Sequence, residues 1–192
     1  MINILKIVAL GVAGFALLVY LTAPKEFLEP KNKNIELNYS SLPIYFDIVS
    51  GSSNRKKEEI FKDFPIYLVV LNHDSLAVFK DLEKISDKNI VFVANISNTP
   101  WLIKKMAVEG ELEKLYKDSK ITLINDSNGE FVKALGLKDN SMNSYFVYKI
   151  NKDLTIDSIF SKKVKMGALQ DGISEDEIKV EIIEFLNELK KY

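Results

Sequence analysis

The sequence contains no cysteine. That one absence removes disulfide scaffolds, thiolate metal sites, thiol nucleophiles, CxxC redox pairs and a lipid-modified N-terminal cysteine. Arginine is almost as scarce, with Arg55 the only one, which makes bidentate recognition of phosphate or carboxylate a poor fit. The 26 basic and 27 acidic residues nearly cancel, and no clustered basic face stands out, so nucleic acid is not an expected partner. Neither GxxxxGK[ST] nor GxGxxG is present; Gly11 and Gly14 lie inside an apolar run. No cofactor and no metal is expected.

What remains is a chain of 192 residues, 47% hydrophobic, enough for one domain with a real core. Ile7 to Ala23 carries no charge, and a helix of roughly 20 residues spans a bilayer core. Lys6 can snorkel to the near surface and Tyr20 suits the far interface. Residues 1–23 are therefore expected to be a transmembrane signal anchor. A cleavable signal peptide is the rival, but Leu21-Thr22-Ala23 puts leucine where cleavage wants a small residue. A terminal span with a short leader exports the chain on its C-terminal side. The expected location is the inner membrane, single-pass, with the domain facing the periplasm, or secreted if the segment is cleaved.

Residues 24–41 are polar and proline-punctuated, and read as a juxtamembrane linker. Glu36-Leu37-Asn38-Tyr39-Ser40 resembles the acidic-extended N-glycosylation sequon recognised in the periplasm of some bacteria, making Asn38 a possible glycosylation site or simply linker.

The domain is expected over 42–192. Ile44 to Val49 is strand-like. Arg55 to Asp63 reads as one or two helical turns, with Lys56-Lys57-Glu58-Glu59 as a solvated face. Ile66 to Leu71 is an unbroken apolar run, a strand buried on both faces. Asn72-His73-Asp74-Ser75 is a polar turn able to cap a helix carrying Leu76, Phe79, Leu82 and Ile85. Ile90 to Ile96 is a second buried strand, completing a right-handed βαβ unit. Thr99-Pro100 opens a linking helix with Trp101, Leu102, Met106 and Ala107, expected to bend or break at Gly110. Ile121 to Ile124 is a strand. Ser144 to Ile150 and Leu154 to Phe160 flank Asn151-Lys152-Asp153 as a β-hairpin. Ser174-Glu175-Asp176-Glu177 is a capping box opening the last helix, whose inner face is Ile178, Ile182, Phe185, Leu186 and Leu189.

This order, a βαβ half, a linking helix and then ββα, resembles the thioredoxin superfamily and implies its three-layer α/β fold behind a single N-terminal transmembrane helix. More narrowly, residues 121–189 look like the peroxiredoxin-like, YtfJ-type group of exported proteins. Leu112 to Tyr116, Ile124 to Gly129, Asn151-Lys152-Asp153 and Gly167-Ala168-Leu169 carry that resemblance. Two family features are missing. Asn72 to Ser75 stands where the active thiols would be, and Met142-Asn143-Ser144 replaces the cis-proline ahead of the hairpin's first strand.

Four residues are candidate contacts with a partner: His73, Asp74, Ser75 and Trp101. The three consecutive residues point in different directions, against a Ser-His-Asp triad and toward a helix cap beside an exposed histidine. The turn nevertheless lies at the carboxyl end of the strands, where α/β sheets bind. Trp101 is either core or a partner anchor. Asp126 to Glu130 has a calcium-loop flavour, but its glycine is at position four instead of six, which makes it a turn. The expected function is a non-redox, protein-binding module that chaperones or assembles an envelope or membrane complex. The alternatives are an enzyme with non-thiol chemistry at residues 72–75, or an accessory to a periplasmic redox system.

Overall fold

Six consecutive apolar residues form strand β3 (Ile66–Leu71), and all six are buried. A strand that is apolar on both sides must be covered on both sides, and the chain is arranged to do that. The computed structural model describes residues 2–22, 37–49, 51, 54–80, 82, 89–99 and 107–192. The other strands are β1 (Tyr45–Ile48), β2 (Arg55–Lys56), β4 (Ile90–Ala94), β5 (Leu123–Asn125), β6 (Ser144–Ile150) and β7 (Ile156–Lys163). Helical elements are α1 (Ile2–Thr22), α2 (Lys57–Ile60), α3 (Glu113–Tyr116), α4 (Glu130–Ala134) and α5 (Glu175–Leu189).

The seven strands lie in the order β2-β1-β5-β4-β3-β6-β7. β3 pairs parallel with β4, setting Val69 beside Phe92, and antiparallel with β6, setting Val69 beside Val147. β6 and β7 form the expected hairpin, and β5 runs parallel to β4. Three parallel strands (β5, β4 and β3), an antiparallel hairpin and a closing helix make a mixed α/β sheet of thioredoxin-like arrangement.

Side chains alternate across the pleat. Tyr67, Val69, Leu71, Phe92, Tyr145 and Val147 face one layer, where Ile182, Phe185 and Leu189 of α5 cover them together with Leu76, Phe79 and Leu82. Leu68, Val70, Val91, Val93, Phe146 and Tyr148 face the other, covered by Leu42, Phe46, Phe61, Phe131 and Leu135. Phe79 meets Phe92, Tyr145 and Phe185 edge-on at 5.0–5.9 Å, a geometry that favours aromatic pairs beyond their buried area.

The expected α-helix over 76–85 is not what the described residues form. His73–Ala77 is a 3-10 helix, continued by bonds from Val78 N–H to Ser75 O and from Leu82 N–H to Phe79 O. Leu76, Phe79 and Leu82 are spaced by three, and three is the 3-10 period, which stacks such side chains on one line facing the sheet. Residues 100–106 of the expected linking helix lie outside the described residues; Ala107–Leu112, across Gly110, is a π-helical turn leading into α3.

Two expectations about the start of the domain are corrected. The linker does not run to residue 41, because Ile156 N–H donates to Leu37 O, Tyr39 N–H donates to Leu154 O and Asn38 bridges Thr155. Folded structure therefore includes residues 37–41; residues 24–36 lie outside the described residues. Nor is Lys57 solvated. It is only 5% exposed, its Nζ donates to Tyr39 O at 2.9 Å and Leu42 O at 3.2 Å, and it sits 4.4 Å from the centre of the Tyr39 ring. Burial holds its pKa below the usual lysine value.

α1 forms where the anchor is expected. Its described side chains run from Lys6 to Leu21, all exposed except the half-buried Val19. Among the described residues no helix is long and apolar enough to cross a membrane, so the anchor expectation rests on the sequence.

Phe185→Ala is expected to cost about 3–5 kcal/mol of unfolding free energy, whereas Val180→Ala, on the exposed side of α5, stays within about 0.5 kcal/mol; urea titration of both checks this. The capping box on α5 forms as expected. The Ser174 N–H, then Lys165, pull the Glu177 carboxyl down from its ordinary 4.5 to about 2. A depressed carboxyl stabilises the fold above its ordinary value and ceases to as pH falls through the folded one. Glu177→Ala should lower Tm at neutral pH, and thermal melts should show the gap closing between pH 4.5 and about 2.

Candidate functional site

β3 and β4 both end in asparagine, Asn72 after Leu71 and Asn95 after Ala94, and both side chains are buried. A buried amide must find partners, and these two find each other. Asn95 Nδ2 donates to Asn72 Oδ1 at 2.8 Å. Asn72 Nδ2 donates onward to Ser141 O at 2.8 Å, and Ser97 Oγ donates to Asn95 Oδ1 at 2.7 Å. This relay ties the ends of the parallel strands to the loop entering β6.

The next residue, His73, is placed by Asp74. His73 Nδ1 lies 3.0 Å from Asp74 Oδ1, with the Asp74 side chain 1% exposed and the His73 side chain 31% exposed. The other carboxylate oxygen accepts from Gly167 N–H at 2.8 Å, and Asp74 N–H donates to Met142 O. Asp74, through its buried carboxylate and its backbone N–H, thus holds together the turn after β3, the loop before β6 and the loop before α5. Gly167 suits this because its φ of +77° is left-handed and a Cβ there would run into the Asp171 carboxylate.

Ser75 is fully buried, and its Oγ donates to Asn72 O at 2.7 Å. The hydroxyl closes a backbone turn and is committed to it. Asp74 is an inward-facing support. Of the three candidates in the turn, His73 is the one that lines open space. Trp101 lies outside the described residues.

That space is a cleft of about 640 Å³ at the carboxyl ends of β3 and β4. His73, Asn72 and Asn95 line it, with Leu76, Ile96 and Leu112 as apolar walls; Asn98, Glu111, Asn140, Met142 and Gln170 are among its rim residues. Tyr116 Oη donates to Leu76 O at 2.8 Å, fixing α3 against the wall. Reasoning along the chain missed the asparagine relay and the contribution of residues 140–142 and 169–170. The available signal was a polar residue directly after each of two buried apolar strands, repeated at 72 and 95.

The other sequence candidates resolve into structural roles. Asp126 is buried and caps α4, accepting from Phe131 N–H and Val132 N–H at 3.1 Å each; burial raises its pKa above the ordinary carboxylate value. No cluster of histidine and acidic residues able to hold a metal occurs among the described residues. Asn38 Oδ1 accepts from Ser40 N–H at 3.0 Å and caps the short turn Tyr39–Ser41. The sequon is therefore folded against the hairpin tip instead of lying on a free linker. The cis peptide among the described residues is Phe64–Pro65, at the start of β3 and the opposite end of that strand from His73.

No protein-family model matches the sequence, and no curated protein matches it. Among solved structures, the chain is similar to an uncharacterized conserved protein from Geobacillus kaustophilus, at 15% identity and a TM-score of 0.38, covering 83% of this chain and 82% of that one. It is also similar to the mitochondrial 2-Cys peroxiredoxin of Plasmodium falciparum, at 15% identity and a TM-score of 0.36, covering 76% of this chain and 93% of that one. The thioredoxin-like arrangement lies in the strand order β4-β3-β6-β7, with β3 and β4 parallel and β6 antiparallel to both its neighbours. With no cysteine in the chain, the site performs no thiol redox chemistry.

Asn95→Leu should destabilise the domain by about 1–3 kcal/mol, because Asn72 Oδ1 and Ser97 Oγ both lose their buried partner. Asn98→Ala, on the exposed rim, should stay within about 0.5 kcal/mol. Chemical denaturation of the two variants side by side measures the difference.

Proposed function

We propose that this chain is a membrane-anchored, thioredoxin-like domain without redox activity that binds another envelope or membrane protein, as a chaperone or assembly module. The observation that carries the reading is the cleft at the carboxyl ends of β3 and β4, walled by apolar and amide side chains. It occupies the binding end of an α/β sheet in a chain that has no thiol to react there. Exposed Met142 lines it, and methionine suits a surface that adapts to a protein partner. The anchor and the periplasmic location are supported by the 17 uncharged residues from Ile7 to Ala23. Tethering raises effective concentration toward membrane-embedded partners. The finer kinship with the YtfJ-type exported proteins belongs to this reading and rests on the turn motifs between Leu112 and Leu169.

A second reading, an enzyme with non-thiol chemistry, has one observation in its favour. His73 is oriented by a buried carboxylate, the arrangement a general base requires. Ser75, committed to the Asn72 carbonyl, supplies it with no nucleophile.

The binding reading is tested by placing a photo-crosslinking amino acid at Asn98 or Gln170 on the cleft rim, and at exposed Lys133 on α4 as a control, in intact membranes. The expected outcome is one discrete adduct shared by the two rim positions and absent at 133. Rim positions that yield no adduct, or a chain released from membranes by alkaline washing, would sink it.

A further inference from the structure

We infer that Asn38 carries an N-linked oligosaccharide, attached through its side-chain amide nitrogen before residues 37–42 dock on the domain. The inference goes beyond the binding function and shares with it only an exported location. Three observations carry it.

The first is which atoms the fold leaves free. Glu36-Leu37-Asn38-Tyr39-Ser40 supplies the asparagine, the hydroxyl two residues on and the preceding acid of an extended sequon. In the folded turn Asn38 Oδ1 accepts from Ser40 N–H at 3.0 Å, and Asn38 O accepts from Ser41 Oγ at 2.6 Å. Among the described residues nothing accepts from Asn38 Nδ2, and nothing bonds to Ser40 Oγ. Nor is Nδ2 shut away from water. The oxygens of Asn38 hold the turn, while the nitrogen that takes the sugar is spare. Substituting that nitrogen breaks no hydrogen bond of the fold.

The second is the ground around it. Ser40, Ser41, Lys152, Asp153 and Leu154 are all exposed, and Tyr39 N–H donates to Leu154 O, so the turn sits on the open tip of the β6–β7 hairpin. A bulky, solubilising group needs such a surface. The tip lies at the Ile66 end of β3, where Ile66 pairs with Ile150, whereas the cleft opens beyond Leu71. The length of β3 keeps the two apart by about 17 Å, and a glycan at the tip leaves the cleft open.

The third is the clamp on the docked segment. Ile156 N–H donates to Leu37 O, the Tyr39 ring meets Phe61 and Phe64 edge-on, and Lys57 Nζ donates to Tyr39 O. A transferase that draws the sequon into its own site would have to undo all of these contacts. Transfer therefore precedes docking, and the docked turn then accommodates the product. In the step, Nδ2 bonds to C1 of the reducing-end sugar of a polyprenyl-diphosphate-linked oligosaccharide. The C1–oxygen bond to the diphosphate breaks, its electron pair leaves with the diphosphate, and Nδ2 gives up one proton to solvent.

The test is mass spectrometry of the full chain, extracted in detergent from the membranes of its native source. The expected result is a mass above that of the sequence by a whole oligosaccharide, carried on the peptide that holds Asn38. Ser40→Ala should abolish the increment and Ser40→Thr should keep it. Ser41→Ala, which removes a hydrogen bond of the same turn but no part of the sequon, should keep it as well. A chain at its sequence mass, an increment placed elsewhere, or one that survives Ser40→Ala would each overturn the inference. The order of events is read by offering the same membranes a synthetic peptide of residues 33–43 and the folded, unmodified chain. The peptide should gain the glycan and the folded chain should not; equal modification of both, or of neither, overturns it. The rim crosslinks do not report on Asn38, so the glycan and the binding function stand or fall separately.

Discussion

The architecture depends on the double-sided burial of β3. Its six residues have no polar face, so the strand is stable only where apolar layers close over both sides. β4 is apolar in the same way, and all five of its residues are buried. Every major packing element then has an assigned side. α5 and the turn after β3 close one face, while Leu42, Phe46, Phe61 and α4 close the other. The aromatic set around Phe79 locks the first layer, and the Tyr39, Phe61 and Phe64 edges contribute to the second.

That burial also creates the site. Where two buried parallel strands end side by side, backbone and side-chain polar groups emerge into a region still shielded from water. Each must be satisfied locally. Here the asparagine relay and the Asp74 carboxylate do so, drawing three loops distant in sequence into one rim. In this chain an oriented imidazole, the Glu111 carboxylate and several side-chain amides line that end of the sheet.

Much of the fold is legible along the chain because the signals are local. The alternation of buried runs with turns predicts the strand pairs, Ser174 with Glu177 predicts the capped helix, and Asn151-Lys152-Asp153 predicts the hairpin. The misses share a cause, which is that the deciding contact lies outside the local window. The spacing Leu76, Phe79, Leu82 suggests an α-helix face, although its period is three. Lys57 reads as solvent-facing because its neighbours are charged, but the Tyr39 and Leu42 carbonyls reach it from 18 and 15 residues away. Polar residues 37–41 look like linker until the tip of the β6–β7 hairpin supplies a pairing edge. Of the candidate site, His73 and its position at the strand ends are visible in the chain, whereas Asp74 proves to be a support and Ser75 a turn-closing hydroxyl.

The amino-acid order alone determined the absence of thiol chemistry, the pattern of buried strands and the uncharged N-terminal run, because each follows from which side chains are present and how they are spaced. The tertiary structure alone decided that Asn72 and Asn95 share a hydrogen bond, that Asp74 serves His73 and Gly167 together, and that residues 111, 140 and 170 border one cleft. Those facts depend on contacts between residues as many as 93 positions apart. Such contacts leave no periodic trace in the chain, and they form only once burial of the central strands has brought the loops to the same end of the sheet.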